Sequence, residues 1–236
     1  MKEYFEKIYS ESEEEFHKLI ENKIENSQKS FIVTANPETL MIAEENEEFK
    51  KSLLDEKTII VPDGIGVIKG MQMLKYKQNG TITGVELAKK LIHILDKHNG
   101  SLFLFGAKDE VVKKLKEKIN LEYPNVNIVG CENGYGDDKQ KVFDEIVKCA
   151  PDVTLVALGI PQQELLIYNN LDRFNKGIFV GVGGSFDVLS GMKKRAPKFF
   201  IKFHLEWLYR ICREPKRMGR FFKSNVRYLF KIMKEK

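Results

Sequence analysis

The sequence predicts an α/β fold, in which a mostly parallel, Rossmann-like sheet lies between two layers of helices. Short apolar runs rich in β-branched and aromatic residues alternate with amphipathic helical patterns, as in repeated strand–helix units. Small, polar loops follow most of these runs, and parallel sheets bind ligands at this edge. The predicted strands are 31–33, 58–61, 102–105, 126–129, 153–158 and 178–180.

Three capping signals mark where helices begin or end. A serine or asparagine before a helix accepts hydrogen bonds from its first free N–H groups, and Asn-Gly after a helix supplies the left-handed residue that ends it. The signals are Ser12 with Glu15, Asn36 before Pro37, and Asn99 before Gly100.

Length and composition indicate a globular protein. The 236 residues can bury a full core, and 42% of them are hydrophobic. No apolar run approaches the roughly 20 residues that cross a bilayer, and the acidic N-terminal segment lacks the apolar core of a signal peptide. We therefore expect a cytoplasmic protein. The separated Cys131, Cys149 and Cys212 indicate reduced thiols and no zinc site.

Charge divides the chain into an acidic body and a basic tail. Residues 192–236 contain 15 Lys and Arg against 3 Asp and Glu, whereas residues 1–191 contain 24 against 31. A segment this basic commonly meets phosphate on nucleic acid, on anionic lipid or on a diphosphate. Composition leaves these three partners open.

The basic tail is also predicted to be helical and amphipathic. Apolar residues recur at helical spacing from Phe199 to Ile211 and from Phe222 to Met233, with a break near Pro215. We therefore divide the chain into an α/β core, residues 1–191, and a helical appendage, residues 192–236. The apolar stripe either packs on the core or enters the headgroup layer of a membrane, where the basic residues meet anionic lipid.

The common nucleotide-binding motifs are absent from the sequence. There is no GxxxxGK[ST], and Phe186 occupies the third glycine position of a GxGxxG. No DxD pair is present to hold a diphosphate through a metal ion. These absences weigh against P-loop and NAD-binding proteins, and a leaving diphosphate would need protein cations to stabilise it.

Five short motifs in the loops and the tail occur together in one order. They are Thr34-Ala-Asn36-Pro37, Pro62-Asp63-Gly64-Ile-Gly66, Gly159-Ile-Pro161-Gln-Gln163-Glu164, Gly183-Gly184-Ser-Phe186-Asp187, and Arg195-Ala196-Pro197 with Glu206-Trp207-Leu-Tyr-Arg210. Over about residues 30–220 the chain therefore resembles the WecG/TagA/CpsF family, glycosyltransferase family 26. The resemblance implies an inverting, metal-independent transfer of N-acetylmannosamine from its UDP donor to GlcNAc-diphosphate-undecaprenol, as in wall teichoic acid synthesis.

The resemblance implies two catalytic residues. Asp63 resembles the family's catalytic aspartate, the general base that takes the proton of the attacking sugar hydroxyl. Thr34 resembles the family's active-site threonine. Without the resemblance, an aspartate before glycine is also typical of a turn, and Thr34 fits a strand end.

Five further residues are implied to bind substrate. Asn36 and Gln163 resemble the family's sugar-binding and donor-side positions, although Asn36 is also a natural helix cap and Gln163 fits an ordinary helix N-terminus. Arg210, Arg217 and Arg220 resemble C-terminal arginines that would stabilise charge on the departing UDP. A basic run is otherwise most often a solvated or lipid-facing surface.

Asp187 and Arg195 have two interpretations as well. They either lie near the nucleotide or form structural ion pairs.

The implied partners are a UDP-sugar, a polyprenyl-diphosphate-linked sugar acceptor and the anionic inner face of the cell membrane, where the protein would be peripheral. No metal cofactor is expected, and self-association of family members leaves a homo-oligomer open. Thr81 stands where many relatives have arginine, which argues against an acidic donor such as UDP-N-acetylmannosaminuronic acid. UDP-glucose and UDP-galactose remain alternatives.

Two other classes of protein are disfavoured. A nucleic-acid-binding module fits poorly because the tail aromatics repeat at core-like spacing and no recognised binding motif is present. A catalytically inactive membrane adaptor fits poorly because Thr34, Asp63, Gln163 and the arginines occur together.

Overall fold

One parallel sheet of six strands forms the centre of the computed structural model, which describes residues 1–203, 205–213 and 218–236, without the side chains of Lys198, Arg210 and Arg220. The strand order is β2-β1-β6-β5-β3-β4, and each neighbouring pair is parallel. The strands are β1 (Lys29–Ala35), β2 (Thr58–Pro62), β3 (Ser101–Gly106), β4 (Asn127–Glu132), β5 (Val153–Ala157) and β6 (Gly177–Gly181). The predicted fold class and all six predicted strands are confirmed.

Helices cover both faces of the sheet. They are α1 (Lys2–Lys7), α2 (Glu13–Glu25), α3 (Pro37–Ala43), α4 (Glu47–Leu54), α5 (Ile65–Met73), α6 (Gly84–His98), α7 (Asp109–Glu122), α8 (Lys139–Cys149), α9 (Gln162–Asn170), α10 (Ser185–Leu189), α11 (Lys198–Lys202), α12 (Glu206–Arg213) and α13 (Met218–Glu235). A 3-10 turn, Leu171–Arg173, follows α9.

The core consists of two apolar layers separated by the sheet. Successive strand residues point to opposite faces, so Phe31 and Val33 belong to one layer and Ile32 to the other. Helices α2, α6 and α7 complete the layer that contains Ile32. Helices α1, α3, α4 and α13 contribute to the layer that contains Phe31. Burial on both faces explains why the strands are continuous apolar runs without alternation.

The three capping signals are confirmed. Ser12 and Glu15 form a capping box at α2, and the Asn36 side chain accepts a hydrogen bond from the Thr39 N–H of α3. Asn99 ends α6 in the left-handed conformation, with φ of 52°. These local signals determine where the helices start and stop.

The appendage packs on the core through α13 and exposes the opposite face of that helix. Tyr228 and Ile232 are buried, and α13 contacts α3 and α5. Arg227 and Lys231 form ion pairs with Glu45 and Glu44, at the end of α3. The exposed face carries Phe222, Val226, Leu229, Phe230 and Met233. The apolar residues of α13 therefore form two groups, one packed on the core and one exposed.

The described residues of the appendage contain one more helix than the sequence predicts. The short α11 precedes α12, and the predicted break near Pro215 lies outside the described residues. Within the described ranges, no helix combines the length and apolarity needed to cross a membrane.

Candidate active site

A cavity of about 820 Å³ lies at the carboxyl ends of β1, β2, β5 and β6, and the appendage closes one side of it. Among the side chains that the sequence singled out, Thr34, Asn36, Asp63 and Gln163 line this cavity. Residues from α11, α12 and α13 line the opposite wall. The structure therefore brings four predicted site residues, from three separate segments of the chain, into one space.

Strand order explains why these loops meet. The order β2-β1-β6-β5 makes the four strands neighbours, so their loops leave the same stretch of the sheet edge. Ala35 and Pro62 are paired in register, and the Asp63 N–H donates a 2.8 Å hydrogen bond to the Ala35 carbonyl. The motifs that contain Asn36 and Asp63 are thereby held side by side.

The Asp63 side chain reaches the cavity from a turn that depends on the glycine after it. Gly64 has φ of +90°, a conformation that L side chains rarely adopt, and the space where its Cβ would stand is empty for 4 Å. The turn leads directly into α5. The glycine thus permits the turn that follows Asp63 and adds no side chain to the space beside it.

Thr34 and Asn36 hold different positions at the end of β1. Thr34 Oγ1 lies 3.4 Å from the point where a Cβ on Gly84 would stand, so its side chain faces the first turn of α6. The Asn36 Oδ1 accepts from the Thr39 N–H at 3.0 Å. Asn36 is therefore a helix cap, as its sequence context indicates, and also lines the cavity.

Gln163 joins the two loops that follow β5 and β6. Its Oε1 accepts hydrogen bonds from the N–H groups of Gly159 and Gly183, each at 3.1 Å. Its Nε2 donates to Glu164 Oε1 at 2.7 Å, and Gln163 is only 3% exposed. These bonds fix the orientation of the amide, and the network that joins Gln163 to Gly159, Gly183 and Glu164 is called the glutamine brace below.

Glu164 is recognisable in the sequence only as an acidic residue in the first turn of a helix. It is 2% exposed, and its Oε2 has no hydrogen-bond partner among the described residues. Burial raises the pKa of this carboxyl to about 7, against the smaller opposing effect of the Gln163 hydrogen bond. The hydrophobic pattern of the surrounding sequence does not distinguish such a buried glutamate from an exposed one.

Helix N-termini are part of the cavity lining. The first residues of α5, α6 and α10 line it, and α5 and α10 begin without a side-chain cap. Free N–H groups at helix starts attract phosphate and carboxylate groups.

The lining also contains three charged side chains that the sequence interpretation did not select, Glu38, Lys69 and Glu206. The spacing of Gly66 and Lys69, three apart on α5, is the signal that places both on one helix face.

The predicted arginines belong to the segments beside the cavity. Arg210 lies in α12 and Arg220 in α13, two helices whose Trp207 and Phe221 line the cavity, but the side chains of both arginines lie outside the described part of the chain. Arg217 lies outside it entirely. Their predicted contacts with substrate stay predictions.

Asp187 and Arg195 both form ion pairs within the protein. Asp187 lies 3.8 Å from the Lys193 ammonium, and Arg195 is hydrogen-bonded to Glu86. Neither residue lines the cavity. These contacts agree with the interpretation that both residues form structural ion pairs.

One group of side chains in the described residues has the spacing of metal ligands. It consists of Glu21, Glu25 and His98, on α2 and α6. None of the three lines the cavity.

Comparison with known proteins identifies relatives across nearly the whole chain. Residues 6–236 match the model described as the glycosyl transferase WecG/TagA/CpsF family. The N-acetylglucosaminyldiphosphoundecaprenol N-acetyl-beta-D-mannosaminyltransferase of Bacillus subtilis strain 168 is 38% identical over 204 residues, which cover 86% of this chain and 79% of the relative.

Two relatives with the same name show similar agreement. The protein of Bacillus spizizenii strain W23 is 37% identical over 211 residues, covering 89% of this chain and 81% of the relative. The protein of Staphylococcus aureus strain NCTC 8325 is 37% identical over 207 residues, covering 87% and 80%.

Proposed function

Because the chain belongs to the WecG/TagA/CpsF family of glycosyl transferases, we propose that it transfers N-acetylmannosamine from UDP-N-acetylmannosamine to GlcNAc-diphosphate-undecaprenol. The relatives named for this reaction share 37% to 38% identity with it. The observation that carries the proposal is the cavity itself, in which Thr34, Asn36, Asp63 and Gln163 meet under the appendage. Binding sites for such ligands are typically concave, with a few placed polar groups among apolar side chains, and this cavity has both.

In the proposed reaction, a hydroxyl oxygen of the acceptor GlcNAc bonds to C1 of N-acetylmannosamine while the bond from C1 to the UDP oxygen breaks. Asp63 takes the hydroxyl proton, which makes the oxygen a better nucleophile. The attack and the departure occur on opposite faces of C1, so the configuration inverts. Thr34 and Asn36 would hold the sugar by hydrogen bonds.

Charge on the departing UDP needs stabilisation, and we propose that protein groups provide it without a metal ion. The first two residues of α5, Ile65 and Gly66, line the cavity where that helix begins without a side-chain cap, and Lys69 adds a cation. Arg210, Arg217 and Arg220 are the proposed guanidinium donors for the diphosphate. Gln163 contributes to the donor side of the cavity indirectly, because its side chain accepts hydrogen bonds from the N–H groups of Gly159 and Gly183 and so holds their two loops in place.

A turnover assay tests the proposal. We expect UDP release from UDP-N-acetylmannosamine, with a GlcNAc-diphosphate-prenyl acceptor, to continue in EDTA. Loss of turnover in EDTA that Mg²⁺ restores would contradict the metal-free mechanism. Turnover only with UDP-glucose or UDP-galactose would contradict the proposed donor while keeping the reaction class.

We also propose that the protein is peripheral on the inner face of the cell membrane. The exposed apolar side chains of α13, with Lys223 and Lys234 beside them, are typical of a helix at the headgroup layer. Wild type should therefore sediment with anionic vesicles. Leu229→Glu should sediment much less, whereas Leu121→Glu, a change at an exposed leucine of α7, should not differ from wild type.

Deleting residues 192–236 should abolish both vesicle binding and turnover. The deletion removes Tyr228 and Ile232 from the core as well as one wall of the cavity. A truncated chain that stays active would contradict the proposed role of the appendage.

A further inference from the structure

The two walls of the cavity differ in polarity. The wall formed by the core carries hydroxyl, amide and carboxylate groups, among them Thr34, Asp63 and Ser185. The wall formed by the appendage carries four apolar side chains, Ile201, Trp207, Ile211 and Phe221, together with the polar Glu206 and Asn225. A ligand that fills the whole space therefore meets the hydroxyl and carboxylate groups of the core on one side and a cluster of four large apolar side chains on the other.

Aromatic rings continue from the apolar wall to the outside of the protein. The rings of Trp207 and Phe221 are stacked, with centroids 5.0 Å apart and an angle of 6° between their planes. Phe221 contacts Phe222 edge to face at 5.9 Å. Trp207 is 36% exposed and Phe222 is 52% exposed. The three rings are called the aromatic path below.

The path begins in the cavity and ends on an exposed face. Trp207 and Phe221 both line the cavity, while Phe222 belongs to the exposed apolar face of α13. Exposing such rings to water is unfavourable in proportion to the apolar surface that they present. A hydrocarbon laid along them would remove that cost.

We propose that the aromatic path binds the first isoprene units of the acceptor's polyprenyl chain and leads the chain out of the cavity. This inference rests on the proposed function, which supplies an acceptor with a diphosphate between its sugar and its hydrocarbon. The sugar lies against the polar wall, the diphosphate lies between the walls, and the hydrocarbon lies on the rings. The path therefore selects acceptors by their chain and not only by their sugar.

Trp207 is the chain's single tryptophan, so its fluorescence reports on this path alone. The test is a titration of the full-length protein with farnesyl diphosphate, followed by tryptophan emission, with inorganic diphosphate as the matched ligand without hydrocarbon. We expect a saturable blue shift with farnesyl diphosphate and none with inorganic diphosphate. Phe221→Ala should weaken the farnesyl diphosphate affinity at least tenfold, and Phe222→Ala should weaken it less.

Two controls separate the path from general effects. Tyr135→Ala removes an aromatic ring that is 74% exposed in the loop after β4 and should leave the affinity unchanged. Phe221→Leu keeps an apolar side chain, so it should lose less affinity than Phe221→Ala if the folds of both variants are intact by circular dichroism.

Several outcomes would overturn the inference. These are emission that does not respond to farnesyl diphosphate, an equal response to inorganic diphosphate, or a response to anionic vesicles alone, which would assign the rings to the membrane surface. Failure of the proposed function gives a different result, namely farnesyl diphosphate binding without sugar transfer. Sugar transfer that is equally fast for short-chain and long-chain acceptors, in wild type and in Phe221→Ala, would contradict the inference and leave the proposed function standing.

Discussion

The Nε2 of Gln163 donates a 2.7 Å hydrogen bond to Oε1 of the adjacent Glu164, and both side chains are almost fully buried. The glutamine amide in turn holds the N–H groups of Gly159 and Gly183. Two loops of the candidate active site thus depend on one buried carboxyl group. An unpaired charge at such a position is costly, which is why the carboxyl keeps its proton to a higher pH than usual.

Glu164→Gln should change how stability depends on pH. Burial raises the Glu164 pKa from 4.5 to about 7, so between these values the folded protein holds a proton that the unfolded chain has released. Stability that this group supports is therefore complete below pH 4.5 and is lost as pH rises to about 7. The shift corresponds to a loss of about 3 kcal/mol.

The neutral glutamine of Glu164→Gln can still accept the Gln163 hydrogen bond without titrating. Relative to wild type, the variant should gain stability as pH rises through this window and should match wild type at low pH. Urea unfolding at several pH values measures the difference. Parallel pH profiles for the two proteins would show that Glu164 titrates alike in the folded and unfolded states.

Gly181→Ala should disrupt the glutamine brace. A Cβ at this position of β6 would stand 2.7 Å from Gln163 Nε2 and 2.9 Å from Glu164 Oε1, and neither buried group can move away without losing hydrogen bonds. We expect a loss of about 1–3 kcal/mol in stability, as for other overpacked sites, together with reduced turnover. Thermal unfolding and UDP release measure both, and Gly136→Ala, where nothing lies within 4 Å of the new Cβ, is the control.

Asp63→Asn should lower turnover at least a hundredfold, because general-base catalysis contributes about 10²–10⁴-fold. The substitution keeps the shape of the side chain and the open space beside Gly64, so donor affinity and thermal stability should change little. UDP release and donor binding are compared under the same conditions. Unchanged turnover in the Asp63→Asn variant would remove this residue from the chemistry.

Gly70→Ala should displace α13 from the core. A Cβ on Gly70 would stand 2.0 Å from Tyr228 Oη, which is buried and has no hydrogen-bond partner in the described part of the chain. We expect lower stability and lower turnover, because α13 contributes Phe221 and Asn225 to the cavity. Adding Tyr228→Phe removes the closest atom and should restore part of both properties.

A double-mutant cycle with Gly70→Ala and Tyr228→Phe measures the interaction energy between the two positions. Additive effects would show that the two residues act independently. Gly219→Ala, also in a helix but with nothing within 4 Å of the new Cβ, should be neutral or slightly stabilising.

Local sequence signals were enough to predict much of the fold. Strand runs such as 102–105 are apolar because both faces of a parallel sheet are buried, and caps such as Asn36 satisfy helix N–H groups within three residues of themselves. These requirements act over a few residues, so they can be recognised in a short stretch of sequence. The motifs with Thr34, Asp63 and Gln163 were identified in a different way, by the resemblance of the ordered set to one family.

The placement of Gln163 and Glu164 depended on long-range packing. A glutamine and a glutamate at the start of a helix resemble solvent-exposed residues, and only the close approach of β6, with Gly181 against both side chains, buries them. The division of α13 into a packed face at Tyr228 and an exposed face at Phe222 likewise depends on what α3 and α5 present to it.

By itself, the sequence determined the α/β class, the strands and the caps, because each follows from the periodicity and conformational preferences of a few adjacent residues. Only the tertiary structure decided that β6 lies between β1 and β5. That order brings the segments that contain Asn36, Asp63 and Gln163 to one cavity. The appendage then adds apolar side chains to the wall of this cavity. The physical reason is that strand adjacency is selected by the burial of whole faces, to which residues distant in the chain contribute together.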